Sequence, residues 1–272
     1  MSHIHIPDGV LPAWLWVTAW LLTLLVVGIA GRYAERTRAR RKVALLGVVS
    51  ALMLVAMSSE IIPIAYHINL TVLGGVLLGP ALSVIAAFVV EVILAMLGHG
   101  GVTVLGLNTA IVAVEMVLGW ALFSVLVRTL SKRRAGLAAG IATALTLAVT
   151  TTLLVLVVWA AGTSSATARE TGALDPSTLR FENPLSAGVF TTGLFSGGEH
   201  VEEGGEHAQT LSLSVERFAT VVYTLGPIGW LIEALVTAAI VRYIARTRPS
   251  LVFEGALADT VRAIPGDHSG GM

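Results

Sequence analysis

INLTVLGGVLLGP, residues 68–80, is the stretch on which the fold turns. It is mostly apolar, with Asn69 and Thr71 near its start, carries a glycine pair and ends at Gly79-Pro80, yet it falls short of the about 20 residues that a bilayer-spanning helix needs. Longer apolar stretches surround it at 12–31, 43–62, 81–98, 104–128, 136–161 and 217–243. Basic clusters lie at 32–42 (RYAERTRARRK), 128–134 (RTLSKRR) and 242–248 (RYIARTR). The long connection 163–214 is acidic and polar instead, with Asp175, Glu199, Glu202, Glu203 and Glu206. Lys/Arg-rich connections stay in the cytoplasm, so all the basic clusters belong on one side. The longer stretches alone would strand SKRR on the opposite side. One further crossing within 68–80 restores agreement, and a short, glycine-rich crossing is tolerated where protein rather than lipid surrounds it. In the plainer alternative, 68–80 extends a neighbouring helix and the charge rule fails once.

The prediction is an all-α, polytopic membrane helix bundle with seven crossings, one of them short and Gly-rich. Its N-terminus lies outside and its C-terminus in the cytoplasm. Residues 1–248 form a single membrane domain, 163–214 an extracytoplasmic loop and 249–272 a cytoplasmic tail, where LVFEGALADTVRAI could make a short surface helix. Residues 1–11, 63–69, 99–103 and 163–214 then share the outer face.

Composition agrees. Hydrophobic residues make up 55% of the chain and charged residues 12%, half the roughly 25% charge of soluble domains. Formal net charge is zero, so no global field argues for a nucleic-acid partner. Cysteine is absent, so a bound metal must be held by nitrogen and oxygen. No Lys or Arg precedes the first apolar run and Arg-rich sequence follows it, a poor match to a secretory signal. The first helix is therefore expected to be retained.

Glu60, Glu91, Glu115 and Glu233 lie within apolar stretches. A charge at a helix centre costs about 2.5–3.5 kcal/mol on insertion scales, so each should face the protein interior or sit near an interface. They could form a proton or cation relay; the plainer alternative for each is a buried, hydrogen-bonded packing residue. His3, His5, His67 and His99 all fall on the predicted outer face. The opening Met1-Ser2-His3 adds a separate reason to think of a metal. A free terminal amine, deprotonated backbone amides and a nearby imidazole form a square of nitrogen donors, which suits Ni(II) or Cu(II). With Met1 retained, the chain end and His3 fill all the positions. With Met1 removed, Ser2 is the terminus and a position is left for another imidazole such as that of His67.

HIPDGVLPAW (5–14), HINLTVLGGVLLGP (67–80), HGGVTVLGLNTA (99–110) and GPIGWLIEALVTA (226–238) resemble blocks of the CbiM/NikM-type metal-capture subunits of energy-coupling-factor importers for nickel and cobalt. The resemblance covers most of residues 5–240. It implies a polar N-terminus folded back into the bundle, where the terminal amine, an N-terminal histidine and a second histidine ligate Ni2+ or Co2+. By motif, His5 matches the N-terminal histidine and His67 the internal one. His99 and Asn108 match the third block as loop-ordering or supporting residues, and Glu233 the acidic residue of the last helix. This chain carries extra residues before His5, so either His3 takes the place beside the terminus or His5 binds through its ring while the amine reaches the metal differently. In the family the same motifs serve cobalt uptake for corrinoid (cobalamin) synthesis as well as nickel uptake.

Such importers borrow their energy. No GxxxxGK[ST] motif occurs here, so ATP hydrolysis would come from ABC ATPase subunits through a transmembrane coupling subunit in the cell membrane, with or without a small accessory membrane subunit. The expectation is a transport component without enzymatic activity. Gly47 and Ala51 give the second helix a small-residue face, for the coupling subunit or for packing within the bundle. GGEHVEEGGEH (197–207) could collect metal loosely or be a plain solvated loop. The competing reading is a stand-alone, proton-coupled secondary transporter using the membrane glutamates; no clear inverted repeat favours it. HEXXH and GxSxG are both absent, which weighs against an intramembrane enzyme.

Overall fold

The computed structural model describes residues 13–36, 42–58, 60–61, 66–97, 101–160 and 215–253, with backbone alone at 60–61, 66–67, 158, 160, 215–218 and 221. These residues are helical apart from short connections and one small ladder. The order is α1 (Ala13–Arg36), α2 (Val43–Ser58), β1 (Glu60–Ile61), β2 (Tyr66–His67), α3 (Thr71–Leu78), α4 (Pro80–Met96), α5 (Leu105–Leu130), α6 (Ala135–Ala160) and α7 (Val215–Thr247). Among them 4 helices are long and apolar enough to cross a membrane, α1, α5, α6 and α7, while α2 and α4 are shorter apolar helices.

The decisive stretch becomes α3. Its eight residues rise only about 12 Å, less than half of a hydrocarbon core about 30 Å thick. Every one of them is buried. The chain leaves α3 at Gly79, whose φ 78 and ψ 173 only glycine adopts readily, and Pro80 opens α4 with its fixed φ. The expected turn at Gly79-Pro80 is thus present. Before this short helix the chain is a strand at Tyr66–His67 and left-handed at Leu70, so the stretch is not one continuous long helix.

Contacts along the helices fix their directions. Trp20 lies against Gly106, so the first half of α1 meets the start of α5. Gly136 at the start of α6 packs on Arg242 near the end of α7, and Lys132 stands 5.7 Å over the Phe253 ring. Lys42 donates to the Leu77 carbonyl at 3.3 Å, which brings the end of α3 beside the start of α2. The described basic residues at the end of α1 and at Lys42, between α5 and α6, and at the end of α7 therefore gather at one end of the bundle. The opposite end holds the starts of α1, α5 and α7 and the ends of α2, α4 and α6.

Outward faces of the helices carry Leu21, Leu25, Val48, Val55, Leu145, Leu156, Leu231 and Leu235, all exposed. Such a surface suits lipid, which asks no polar residues of it. Gly47 and Ala51 belong to it too, and among the described residues nothing lies within 4 Å of a Cβ placed on Gly47. The start of the tail, by contrast, is part of the packing: residues 249–253 are helical, Val252 is buried, and Leu251 and Phe253 pack on the core.

Close backbone approach holds the centre together. A Cβ on Gly75 of α3 would stand 2.1 Å from the Met116 carbonyl oxygen of α5. No side-chain motion relieves that clash, so Gly75→Ala should lower stability by about 3 kcal/mol, the upper part of the overpacking range. Gly47→Ala should leave the unfolding midpoint in detergent unchanged or slightly raised, since alanine is the better helix former. Equal midpoints for Gly75→Ala and the parent chain would remove the α3–α5 contact.

Candidate metal site

His67 is the one sequence-predicted ligand whose backbone is described. It lies in β2, paired antiparallel with β1 so that Glu60 and His67 are Cα partners. Four residues later α3 begins. Between them Ile68 packs on the core, Asn69 is 1% exposed, and Leu70 takes φ 56 and ψ 21, a left-handed conformation uncommon in a bulky residue. The Leu70 carbonyl accepts the Gly74 N–H at 2.9 Å, which ties this residue to the first turn of the helix.

Beneath Leu70 the helix start is anchored to a buried acid. Thr71 Oγ1 donates to Glu115 Oε1, and Thr150 Oγ1 lies 3.2 Å from Glu115 Oε2. Glu115 is 0% exposed, as is Thr71, and Thr150 is 3% exposed. A carboxylate in an apolar interior is costly unless such bonds satisfy it. Glu115 thereby joins α3, α5 and α6 at one level, and here the hydrogen-bonded packing reading of a membrane glutamate describes the geometry better than a relay.

At the end away from the basic clusters, α1 is stapled to the third sequence block. Trp20 Nε1 donates to the Val102 carbonyl at 3.2 Å and Thr23 Oγ1 to the Gly106 carbonyl at 2.6 Å. A Cβ on Gly106 would stand 2.7 Å from the Trp20 backbone, so only glycine lets these helices touch. The start of α1 therefore lies at the end of the bundle that residues 101–104 close. Asn108 is buried in the first turn of α5, its N–H bonded to the Val104 carbonyl at 3.0 Å, and it stands two turns from Glu115 on one helix face.

Met1, Ser2, His3, His5, His99 and the 197–207 repeat lie outside the described residues. Among those described, no group of three or more His, Asp or Glu side chains stands together as metal ligands. Glu91 and Glu233 are buried. Gly140 packs on Ala234 and Ala238, and Thr152 Oγ1 meets the Tyr223 hydroxyl at 2.7 Å, so α6 and α7 run antiparallel. In that register Glu233 lies about seven residues, or about 10 Å, nearer the basic end than the Glu115–Thr150 contact. It stands level with the body of α3. Thr71, Thr150, Thr23 and Trp20 were not singled out from sequence. The available signals were faint: a threonine directly after HINL, and another interrupting the apolar run of the first helix.

The chain matches the family model described as the cobalt uptake substrate-specific transmembrane region, CbiM, over residues 5–251. A protein of Haloquadratum walsbyi, provisionally named for metal transport, is 31% identical over 255 residues, 92% of this chain and 94% of that one. A crystal structure of a truncated transition metal transporter superposes with a TM-score of 0.60 at 18% identity, covering 89% of this chain and 99% of the other. A second transition metal transporter structure gives 0.59 at 17% identity, covering 93% and 99%. At these identities the structures attest the fold. The protein belongs to the CbiM family, and it is a multi-pass membrane component of metal uptake.

The staple between α1 and α5 is open to test. Gly106→Val should collide with the Trp20 backbone and lower the unfolding midpoint followed by tryptophan fluorescence in detergent. Thr23→Val removes a single hydrogen bond and should cost about 1 kcal/mol. If Gly106→Val melts at or above Thr23→Val, the close α1–α5 contact is absent.

Proposed function

We propose that this protein is the metal-capturing membrane subunit of an energy-coupling-factor importer, binding Ni2+ or Co2+ as its transported substrate. Membership of the CbiM family over residues 5–251 carries the reading. The geometry supports it by setting the start of α1, the strand bearing His67 and the loop at 101–104 toward one end of the bundle. The ligands are the terminal amine with His3 or His5, and the imidazole of His67. Residues 1–12 fold back between the spans to bring them together. His99 and Asn108 order the surrounding loops.

In the bilayer the chain makes seven passes, one of them the composite of Tyr66–Leu70 and α3. The basic end faces the cytoplasm by the positive-inside preference, and the metal end faces outward in the cell membrane. Transport energy comes from ABC ATPases acting through a transmembrane coupling subunit. The outward-facing Gly47 and Ala51 of α2 offer that subunit a place of close helix approach. A planar set of nitrogen donors, including the deprotonated terminal amine, favours nickel, and the family description names cobalt.

His67→Ala should weaken Ni2+ binding at least tenfold by calorimetry, because even supporting groups around metal ligands are worth about 10–100-fold. Blocking the terminal amine by acetylation or a tag should weaken it comparably. Unchanged affinity in either experiment removes that group from the site. Uptake of Ni2+ by vesicles holding this chain alone, driven by a proton gradient, would replace the subunit reading with that of a secondary transporter.

A further inference from the structure

We propose that Glu115 is a positioning residue for His67, acting through Thr71. The inference rests on the reading that His67 is a metal ligand, and it assigns the buried acid beneath it a task beyond packing. The path is short. Glu115 Oε1 accepts the Thr71 hydroxyl, Thr71 is the first residue of α3, and His67 lies four residues before it, no more than about 13 Å of extended chain. Along those residues the side chain of Asn69 is buried and Leu70 is held in the left-handed region.

A conformation of that kind persists only where its surroundings over-determine it. Two contacts here restrain its exit: the Gly74 N–H on the Leu70 carbonyl, and the Thr71 hydroxyl on Glu115. The first is internal to α3 and would travel with the helix. The second ties α3 to α5, and through Thr150 to α6, so it sets where the helix starts relative to the rest of the bundle. Rotation or translation of that start moves the strand bearing His67 with it. Displacements of about 1 Å are enough to spoil a preorganised constellation of ligands.

A merely structural acid and a positioning acid differ in what their loss does. Loss of a structural brace lowers stability, and any effect on metal affinity is then the same whether or not His67 is present. Loss of a positioning group acts on affinity through His67 and vanishes when that imidazole is gone. The two threonines give a second contrast, since both contact the same carboxylate but Thr71 alone leads to His67.

The test uses the full chain in detergent, with its native N-terminus, titrated calorimetrically with Ni2+. The expected results are a loss of about tenfold or more for Thr71→Val and for Glu115→Ala, within the range seen for supporting groups. No further loss should follow when the two are combined. Glu115→Gln should hold affinity within about threefold, because the amide oxygen still accepts from Thr71 and its NH2 can donate to Thr150, a rescue by the conservative variant. Thr150→Val should likewise stay within about threefold. In a His67→Ala background, Glu115→Ala and Thr71→Val should change the residual affinity by less than about twofold.

Equal affinity of Thr71→Val and the parent chain overturns the proposal, and so does an undiminished effect of Thr71→Val in the His67→Ala background. Should Glu115→Ala fail to fold, the Thr71→Val comparisons decide alone, as this exchange conserves side-chain volume. If His67→Ala itself leaves Ni2+ affinity unchanged, the metal-site reading falls and this inference falls with it. If His67→Ala weakens binding and Thr71→Val does not, the positioning role alone is rejected.

Discussion

Backbone that leaves the helical state inside a hydrocarbon layer has no water to satisfy it, and protein must cover it on every side. This constraint orders the centre of the molecule. The chain between α2 and α4 is extended at Tyr66–His67, left-handed at Leu70 and helical for only eight residues. Each departure from a long helix leaves N–H and C=O groups in need of partners. α3 is accordingly buried along its whole length, while the helices around it keep the lipid-facing positions.

Covering that segment demands close approach, which explains where small residues fall. Gly75 lets α3 touch the Met116 carbonyl of α5, and Gly119 takes in the side chain of Val72 from the other direction. The same contact surface carries Thr71, Glu115 and Thr150. A carboxylate there is expensive by itself, but it bonds with helices that share no sequence neighbourhood. Packing alone allows helices to slide by fractions of an ångström; a directional bond to a fixed acid does not. Polar groups so placed are suited to specifying register, the use for which buried polar residues are best attested.

The outline of the fold was legible in the sequence because hydrocarbon thickness and charge asymmetry act on long windows. The apolar stretches at 12–31, 104–128 and 136–161 became α1, α5 and α6 with ends shifted by a few residues, and the odd stretch 68–80 proved to be an interior segment ending at Gly79-Pro80. What sequence left open was sidedness on individual helices. The environment of α2 is apolar all around, so periodicity does not say which face meets protein, and the outward direction of Gly47 and Ala51 had to come from coordinates. The partners of Glu115 were illegible for a related reason. Threonines are common in these helices, and only the crossing of α3, α5 and α6 selects Thr71 and Thr150 among them. Of the candidate site, the place of His67 in the chain could be read directly, whereas its strand pairing with β1 could not.

A site assembled from a chain terminus and a strand differs from one built on helix faces. Helix-borne ligands inherit their spacing from the helix itself; ligands on irregular backbone must have it imposed by whatever lies beneath. In this protein the underlying elements are fixed by devices that sit away from the proposed ligands. The Trp20 and Thr23 bonds hold α1 against α5. Glu115 holds the start of α3, and so the exit of the His67 strand, against the same helix. α5 is therefore the common reference for α1 and α3. Its Gly106 and Glu115 lie nine positions apart, one accommodating a backbone and the other bonding a hydroxyl. Anything that tilts α5 moves α1 and α3 together, and anything that slides α1 or α3 along it shifts that helix alone.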